Sequence, residues 1–546
     1  MRLTLRQNAA ALVRTGFVAS ALCSVAAGQI PVKDATVVSK CGSCHARDEA
    51  GNLERISWER TTPEGWQDVV KRMVVVQGAQ LTPDDARSIV RYLATSHGLA
   101  PEEAQPVMYD VERRFHEETL PNDNLRKTCT GCHSGARALS WRRSADEWRK
   151  FAIAHAASHK FPVEDDVVEY LAKVAPLSTP EWTAWTNRKS IPIDGRWLLT
   201  ASLPGRGRFT GEMRVDSAGD GEFNYTVRLV SVRDGSILLR SGHSAVYGDY
   251  SWRGRSRGRG QNATAPDDPL SETREVMWFA PGRTRAEGRW FWGQYQEFGF
   301  NVQMTRPSAN ATLLLAEPVA LKTGSRGARI RVIGDNLPAE GDVAFGPSVT
   351  VTRLISRTPG ELIAEVNVAT DAPMGRRDVA IGQNRLTDGL AVYDRVDYVK
   401  VIPDSAMAAF SDPNDPRVYR QGYQQFDAIG FYRGADGKAL TDDDVALGPV
   451  DVTWSMEVFY ALKDSDSGKV GHISQSGLFT PADMNPEANF DVWAVATARN
   501  EVDKNGKPLV GKSYLVVTVP WYTFNGRRFV RNLDRWVDDG PATGKQ

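Results

Sequence analysis

The feature that most constrains this 546-residue chain is a short motif, C-x-x-C-H, that occurs twice. The first copy spans residues 41–45 and the second, 88 positions later, spans residues 129–133. Of the five cysteines in the chain, only Cys23 lies outside the motifs. The same pattern attaches c-type haem: the thiols bond to the porphyrin vinyl groups and the histidine becomes an axial iron ligand.

Residues 1–27 have the pattern of a secretory signal peptide. Arginines precede a short apolar stretch, residues 17–27, that ends in small residues and is too short to span a bilayer. Cleavage after Ala27 would remove Cys23 and leave four cysteines, all within the motifs. A mitochondrial-type transit peptide is the alternative, but the compact apolar stretch favours export.

Two haem-attachment sites therefore account for every cysteine of the mature chain. In an exported protein the four thiols could instead form two disulfides or, with histidine, a zinc site, but neither explains the histidine directly after each pair. The sequence predicts two covalent haems c, held by four cysteines and two proximal histidines: Cys41, Cys44, Cys129, Cys132, His45 and His133.

An internal repeat surrounds the motifs. Residues 61–73 and 144–155 each predict an amphipathic helix with a tryptophan on its apolar face, Trp66 in the first and Trp148 in the second. Seven residues after each tryptophan stands a side chain that can bind iron, a methionine in the first copy and a histidine in the second. Residues 28–180 are thus predicted to form one cytochrome unit used twice.

The repeat predicts the distal iron ligands as Met73 and His155. With both sixth positions filled by protein, electron transfer is favoured over catalysis at the haem. A methionine ligand raises the reduction potential, so electrons would enter at the His155 haem and leave by the Met73 haem. Four side chains remain as alternative ligands: His97 and Met108 for the first haem, and His116 and His159 for the second.

Beyond residue 180 the apolar period changes from 3.6 to 2, which predicts β-structure. Residues 190–308 indicate a small antiparallel barrel, and residues 310–394 and 396–546 indicate two immunoglobulin-like sandwiches. The basic, glycine-rich stretch 252–260 is expected to be a solvated loop, with docking of an acidic partner as the alternative. The acidic run 441–444 is expected to be a turn rather than a calcium site.

The predicted fold class is therefore multidomain α plus all-β, with a helical dihaem domain followed by a barrel and two sandwiches. Lys+Arg and Asp+Glu both number 67, so no net field favours nucleic acid. No transmembrane span is expected. The β-half lacks hydrolase, zinc-protease and nucleotide-binding motifs, so we interpret it as scaffold and interface.

Together, the tandem C-x-x-C-H units, the Met73/His155 asymmetry and the order of β-domains resemble the alpha (dihaem) subunit of quinohemoprotein amine dehydrogenase. The resemblance implies a periplasmic heterotrimer that oxidatively deaminates primary amines. It implies two partners, a β-propeller subunit and a small subunit that carries cysteine tryptophylquinone. It also implies a soluble electron acceptor such as a blue copper protein or cytochrome c.

The cysteine count agrees with this division of labour. A cysteine tryptophylquinone needs a cysteine thioether, and all four mature cysteines are predicted to hold haem. The chain alone is therefore expected to lack amine oxidation activity and to relay electrons. Three other functions remain open: another periplasmic dihaem electron carrier, a dihaem peroxidase, and a module whose β-domains bind carbohydrate.

Overall fold

The structure is a computed structural model and describes most of the chain, as nine segments: 28–108, 123–129, 134–160, 162–258, 272–292, 298–411, 421–459, 467–484 and 486–519. The protein is mostly β, with helices concentrated before residue 190. The predicted signal peptide, residues 1–27, lies outside the described residues.

The helices of the N-terminal region follow one another closely, and a single further helix is described in the β-half. Their bounds are α1 Ala35–Cys41, α2 Pro63–Val75, α3 Pro83–Ser96, α4 Pro101–Ala104, α5 Asp123–Cys129, α6 Gly135–Leu139, α7 Ala145–His159, α8 Asp165–Val174, α9 Pro180–Thr186 and α10 Ser467–Val470. Short 3₁₀ turns occupy Ile56–Trp58 and Gln105–Val107.

A first helical unit is built from α1, α2 and α3. Helix α2 begins where the sequence predicts, because the Thr62 side chain caps the backbone N–H of Gly65 and proline follows it. Its apolar face packs against the other two helices through fully buried side chains: Val37, Trp66, Val70, Ile89 and Leu93.

A second helical unit, built from α5, α7 and α8, repeats this arrangement. The Ser144 side chain accepts from the backbone N–H of Glu147 and starts α7. The buried side chains come from the same three places as in the first unit: Leu125, Trp148, Ala152, Val168 and Leu171. The helical repeat predicted from the sequence is present in the structure.

A two-stranded antiparallel ribbon joins the units. Strand β1 (Glu59–Thr61) precedes α2, and β2 (Trp141–Arg143) precedes α7. Arg60 and Arg142 lie directly opposite each other in the register, and each is the middle residue of its strand. The two helical units are therefore related by a pseudo-two-fold axis through this pair.

The two central arginines share one buried carboxylate, Glu103, which follows α3 in the chain. Arg60 contacts both Glu103 oxygens, at 2.8 and 2.9 Å, and Arg142 Nε lies 3.2 Å from Oε1. The Thr179 hydroxyl and the backbone N–H of Ala100 also donate to this carboxylate, each at 2.8 Å. All three charged side chains are at least nine-tenths buried.

A closed eight-stranded antiparallel barrel follows, in which each strand pairs with the next and the last pairs with the first. Closure leaves no unpaired sheet edge. Its large buried side chains include Trp197, Trp252 and Trp290. The strands are β3 Gly195–Leu203, β4 Gly207–Gly219, β5 Glu222–Ser231, β6 Ile237–Tyr247, β7 Ser251–Gly258, β8 Thr273–Phe279, β9 Arg285–Trp292 and β10 Phe298–Thr305.

The prediction of a loop at residues 252–260 is wrong for the part that the structure describes, which is strand β7. Trp252, Gly254 and Ser256 are buried and alternate with arginines, of which Arg253 binds Glu64 on α2. The period of two is present, but glycine and serine at inward positions hide it from a count of apolar residues.

The barrel packs directly against the helical domain. Leu99, Ala104 and Val107, from the segment around Glu103, belong to the same buried cluster as the barrel core. The Trp278 indole N–H donates to the Pro101 carbonyl at 2.8 Å. The segment that carries Glu103 is therefore held between the ribbon and the barrel.

The third region consists of two four-stranded sheets over one core. Its strands are β11 Thr312–Glu317, β12 Ala320–Lys322, β13 Ala328–Asp335, β14 Val343–Ala344, β15 Val349–Arg357, β16 Glu361–Val368, β17 Gly375–Ile381 and β18 Asn384–Tyr393.

The fourth region forms three sheets, of three, four and three strands, around another core. Its strands are β19 Tyr398–Ile402, β20 Ser405–Ala409, β21 Gln424–Gln425, β22 Asp427–Tyr432, β23 Val445–Pro449, β24 Val452–Val458, β25 Gly471–Ile473, β26 Leu478–Pro481, β27 Phe490–Val502 and β28 Pro508–Thr518. That these two regions are immunoglobulin-like stays a prediction.

Replacing Glu103 with glutamine should lower the free energy of unfolding by about 3–5 kcal/mol, because two buried guanidinium groups would lose their counter-charge. Burial alone would raise the pKa of Glu103, but the hydrogen bonds and charge of Arg60 and the charge of Arg142 lower it to about 2. The stabilisation is therefore present above pH 4.5 and is lost as the pH falls towards 2.

Unfolding by guanidinium chloride, followed for the wild type and the variant between pH 7 and pH 2, measures this effect. The difference in stability should narrow across the acid range. Glu102→Gln is the matched control, because Glu102 is its exposed neighbour. Equal effects of the two substitutions at pH 7 would contradict the assignment.

Candidate functional site

The first C-x-x-C-H motif forms one tight turn at the end of α1. The backbone N–H groups of Cys44 and His45 both donate to the Cys41 carbonyl, at 3.1 and 2.9 Å. Both cysteines are free thiols, Cys41 half-buried and Cys44 exposed. Two thiols and an imidazole are thereby gathered on one turn, the donor set that a covalently bound haem requires.

The ring of His45 is oriented by the backbone. Its Nδ1 lies 2.9 Å from the Glu54 carbonyl oxygen, so Nδ1–H donates and Nε2 is the nitrogen that remains for a metal. Such a hydrogen bond fixes both the tautomer and the ring direction of a ligating histidine. The first motif therefore fits the proximal side of a haem.

Burial, together with the neighbouring Cys44, raises the pKa of the Cys41 thiol to about 11. The thiol is then neutral at physiological pH.

Met73 lies near the end of α2 and is only half-buried. It is not part of the buried core that Trp66 and Val70 share. Two valines that follow it, Val75 and Val76, are about two-thirds exposed, at 68% and 67%. The thioether of Met73 is thus not used in packing the unit.

The two alternatives to Met73 are used elsewhere in the fold. His97 is fully buried, with Nδ1 2.8 Å from the Ser96 hydroxyl and Nε2 3.0 Å from the Ile30 carbonyl. Burial lowers its pKa to about 4. Met108 packs against the barrel core. Both side chains are thus engaged in hydrogen bonds or packing within the fold.

The tryptophans of the repeat make the same contact in both helical units. Trp66 Nε1–H donates to the His97 carbonyl at 2.8 Å, directly after α3, and Trp148 Nε1–H donates to the Ala175 carbonyl at 3.0 Å, directly after α8. Each carbonyl also accepts from a backbone N–H of the ribbon strand of its own unit. The tryptophans thus hold α2 and α7 in equivalent positions.

His155 lies on α7 at the position equivalent to Met73. Its Nδ1 is buried and has no hydrogen-bond partner among the described residues. The Phe151 and His159 rings flank it, with centroids 5.6 and 4.6 Å away. Burial, then the charges of His159 and Arg137, lower its pKa, which favours the neutral imidazole that binds iron.

The second motif is described only in part. Cys129 is the last residue of α5, while Cys132 and His133 lie outside the described residues, as does the alternative ligand His116. His159, the last residue of α7, is exposed. Because α5 packs against α8 through Leu125, the motif begins beside the core that positions α7.

The acidic run in the β-half forms a turn, as expected. Asp443 accepts from the backbone of Asp436 and the hydroxyl of Thr441, and Asp444 accepts from the Tyr398 hydroxyl at 2.6 Å. Among the described residues no group of three or more His, Cys, Asp or Glu side chains is arranged to hold a metal ion. No helix in the described part of the chain is long and apolar enough to cross a membrane.

Sequence reasoning missed the charged cluster between the units, Arg60, Glu103 and Arg142. A signal for the arginines was available, because each occupies the same place in its copy of the repeat. No sequence pattern indicates the role of Glu103, because that role depends on contacts between distant parts of the chain.

Four family models match the chain. They are the quinohemoprotein amine dehydrogenase alpha subunit haem-binding domain at residues 32–182 and domains II, III and IV of the same subunit at residues 190–307, 310–394 and 399–527. The predicted order of domains fits this layout. No curated protein matches the chain.

The solved structures that match include two designed β-barrels, each aligned over about a fifth of this chain. One is a de novo designed fluorescence-activating β-barrel, 14% identical, with a TM-score of 0.16 over 21% of this chain and 93% of that chain. Another is a redesigned β-barrel bound to DFHBI, 11% identical, with a TM-score of 0.17 over 21% of this chain and 94% of that one. These similarities carry no functional argument.

Replacing Trp66 or Trp148 with phenylalanine should lower the free energy of unfolding by similar amounts, about 1–3 kcal/mol each, because each change removes an equivalent buried hydrogen bond. Chemical denaturation of both variants measures the costs. Trp182→Phe is the control, since that side chain is only half-buried. A large cost in one unit and none in the other would contradict the structural equivalence.

Proposed function

Because the chain belongs to the family of quinohemoprotein amine dehydrogenase alpha subunits, a component of a multisubunit oxidoreductase, we propose that it is the electron-transfer subunit of that enzyme. It relays electrons from a quinone on a partner subunit, through two c-type haems, to an external acceptor during oxidative deamination of primary amines. The repeated helical unit with an iron-binding side chain at the same place in each copy is the observation that carries this proposal.

In the first unit, Cys41 and Cys44 bond covalently to the haem and His45 is its proximal ligand. The Glu54 carbonyl oxygen, 2.9 Å from Nδ1, fixes the His45 ring, so that Nε2 would be the nitrogen available to the iron. Met73, at the end of α2 and outside the packed core, is the distal ligand. The packing of α1 against α3 holds the proximal side in place.

In the second unit, Cys129 and Cys132 attach the haem and His133 is proximal. His155 is the distal ligand and stays neutral because it is half-buried, which lowers its pKa. The Trp148 anchor and the Phe151 ring hold α7 and the imidazole in place. Both sixth positions are then filled by protein side chains, which leaves no place for peroxide and disfavours the peroxidase alternative.

A bound haem c supplies reversible one-electron transfer between its ferric and ferrous forms. Methionine favours the reduced iron more than histidine does, so Met73 makes the first unit the more oxidising of the two. Electrons therefore enter at the His155 unit and leave through the Met73 unit. The chain's own contribution is to hold the two different ligand sets in one rigid, nearly symmetric frame.

The catalytic quinone must come from another subunit, because all four mature cysteines hold haem. The complex is a heterotrimer with a β-propeller subunit and a small subunit that bears cysteine tryptophylquinone. The signal peptide, residues 1–27, directs the chain to the periplasm, where a blue copper protein or cytochrome c accepts the electrons. The barrel and the two sandwich domains provide scaffold and interface.

Replacing each distal ligand should change one haem and spare the other. Met73→Leu should abolish the methionine-to-iron absorption band in the near infrared and lower the higher of the two potentials. His155→Ala should make the second haem high-spin and open to added ligands. Met108→Leu and His159→Ala are the matched controls and should leave the spectrum unchanged. A control that reproduces a ligand phenotype would transfer the assignment to that residue.

The native complex tests the division of labour. Gels of the complex purified from the periplasm should show haem staining on this chain and redox-cycling quinone staining on a separate, smaller chain. The separated chain should carry two haems and fail to oxidise amines. Quinone staining on this chain itself, or on none of the chains, would contradict the proposed function.

A further inference from the structure

The ribbon between the helical units has two faces, because side chains alternate along a strand. Arg60 and Arg142 lie on the face that meets Glu103. The opposite face carries Trp141 and Arg143 from β2, with Glu59 of β1 directly across from Arg143 in the register. This second face is not used by any contact described above.

Arg143 is buried among aromatic rings on this face. Its side chain is 5% exposed, and its guanidinium carbon lies 4.3, 4.6 and 4.9 Å from the ring centroids of Trp141, Phe151 and Trp148. The carboxylate of Glu59 accepts from Nε at 2.9 Å, and it is the counter-charge in contact with this arginine.

The hydrogen-bonding capacity of Arg143 is not exhausted by these contacts. Its Nη1 is buried and has no hydrogen-bond partner among the described residues. An aromatic ring is a weak acceptor, so a buried guanidinium N–H without an oxygen partner is costly. A planar guanidinium is also the side chain best suited to bind a carboxylate with parallel N–H groups.

The position of Arg143 points to the second haem site as the source of that acceptor. Phe151, which packs under the guanidinium, also contacts the ring of His155, 5.6 Å between centroids. In the first unit the equivalent position holds Thr61, whose hydroxyl already donates to the Ser140 carbonyl at 3.0 Å. Among the described residues of the two units, an arginine with a buried, unpartnered N–H occurs only in the second, beside α7.

We propose that Arg143 is a positioning residue for the second haem, and that its Nη1–H binds a propionate carboxylate of that haem. This assignment rests on the proposed function, because it requires haem c in the second unit. Haem c carries two propionate groups, which supply the missing acceptor. The three aromatic rings surround the guanidinium and exclude water from it.

The contact has a consequence for the reduction potential. A buried positive charge beside the haem favours the ferrous form, which carries one positive charge fewer at the iron. Arg143 therefore raises the potential of the second haem and narrows its difference from the first. Glu59 acts in the opposite sense, because its carboxylate offsets part of the arginine charge.

Potentiometric titration of the full chain, carrying both haems, tests the assignment. Arg143→Gln should lower the reduction potential of the haem that lacks the methionine absorption band. The equilibrium constant for reduction of that haem should fall by about tenfold or more. Glu59→Gln should raise the same potential. Arg143→Lys keeps the positive charge and should therefore retain most of the wild-type reduction potential of that haem. The propionate band in its resonance Raman spectrum should nevertheless shift.

Arg149→Gln is the control, since it removes an arginine from an exposed ion pair with Asp146 on the same helix. It should leave both potentials unchanged because solvent screens an exposed charge. An unchanged second potential in Arg143→Gln and Glu59→Gln, or equal shifts of both haems, would overturn the assignment, as would an unshifted propionate band. Haem content separates the two proposals: one haem per chain contradicts the proposed function, whereas two haems with unaltered potentials contradict only the role of Arg143.

Discussion

The helical domain depends on one buried carboxylate. Glu103 lies between Arg60 and Arg142, the only pair of equivalent residues that the ribbon register places directly opposite each other. Without it, two guanidinium groups would be enclosed at the pseudo-two-fold axis without a counter-charge. The same short segment contributes Leu99, Ala104 and Val107 to the barrel core. One ion cluster thus connects the two helical units to each other and to the barrel.

Around this axis the frame is nearly symmetric, while the chemistry is not. The tryptophan anchors and three-helix packing are equivalent in the two units, yet a thioether stands at Met73 where an imidazole stands at His155. The ribbon adds a second asymmetry, since Thr61 and Arg143 occupy equivalent places. A nearly symmetric frame with unequal polar groups gives two equivalent positions different electrostatic surroundings.

Local patterns predicted the larger elements well. The stretches 61–73 and 144–155, predicted to be helical, correspond to α2 and α7, and the region 190–308, predicted to be a barrel, contains β3 to β10. The expected loop at 252–260 was wrong because the inward positions of β7 hold glycine and serine, which carry no apolar signal. The repeat favoured Met73 over His97 as the predicted ligand. The burial of His97 could not be predicted from the sequence, because its hydrogen bond to Ile30 joins residues that are far apart in the chain.

By itself, the sequence determined what is chemically local: the two C-x-x-C-H motifs, the tandem repeat with methionine and histidine at equivalent positions, and the order of helical and β-regions. These follow from neighbours within a few positions, where spacing alone dictates which side chains share a turn or a face. The tertiary structure decided where Glu103 binds, which face of β7 is inward, and that Arg143 is buried with an unsatisfied N–H. Those outcomes depend on contacts between residues tens of positions apart, whose burial and partners exist only once the two units and the barrel have packed.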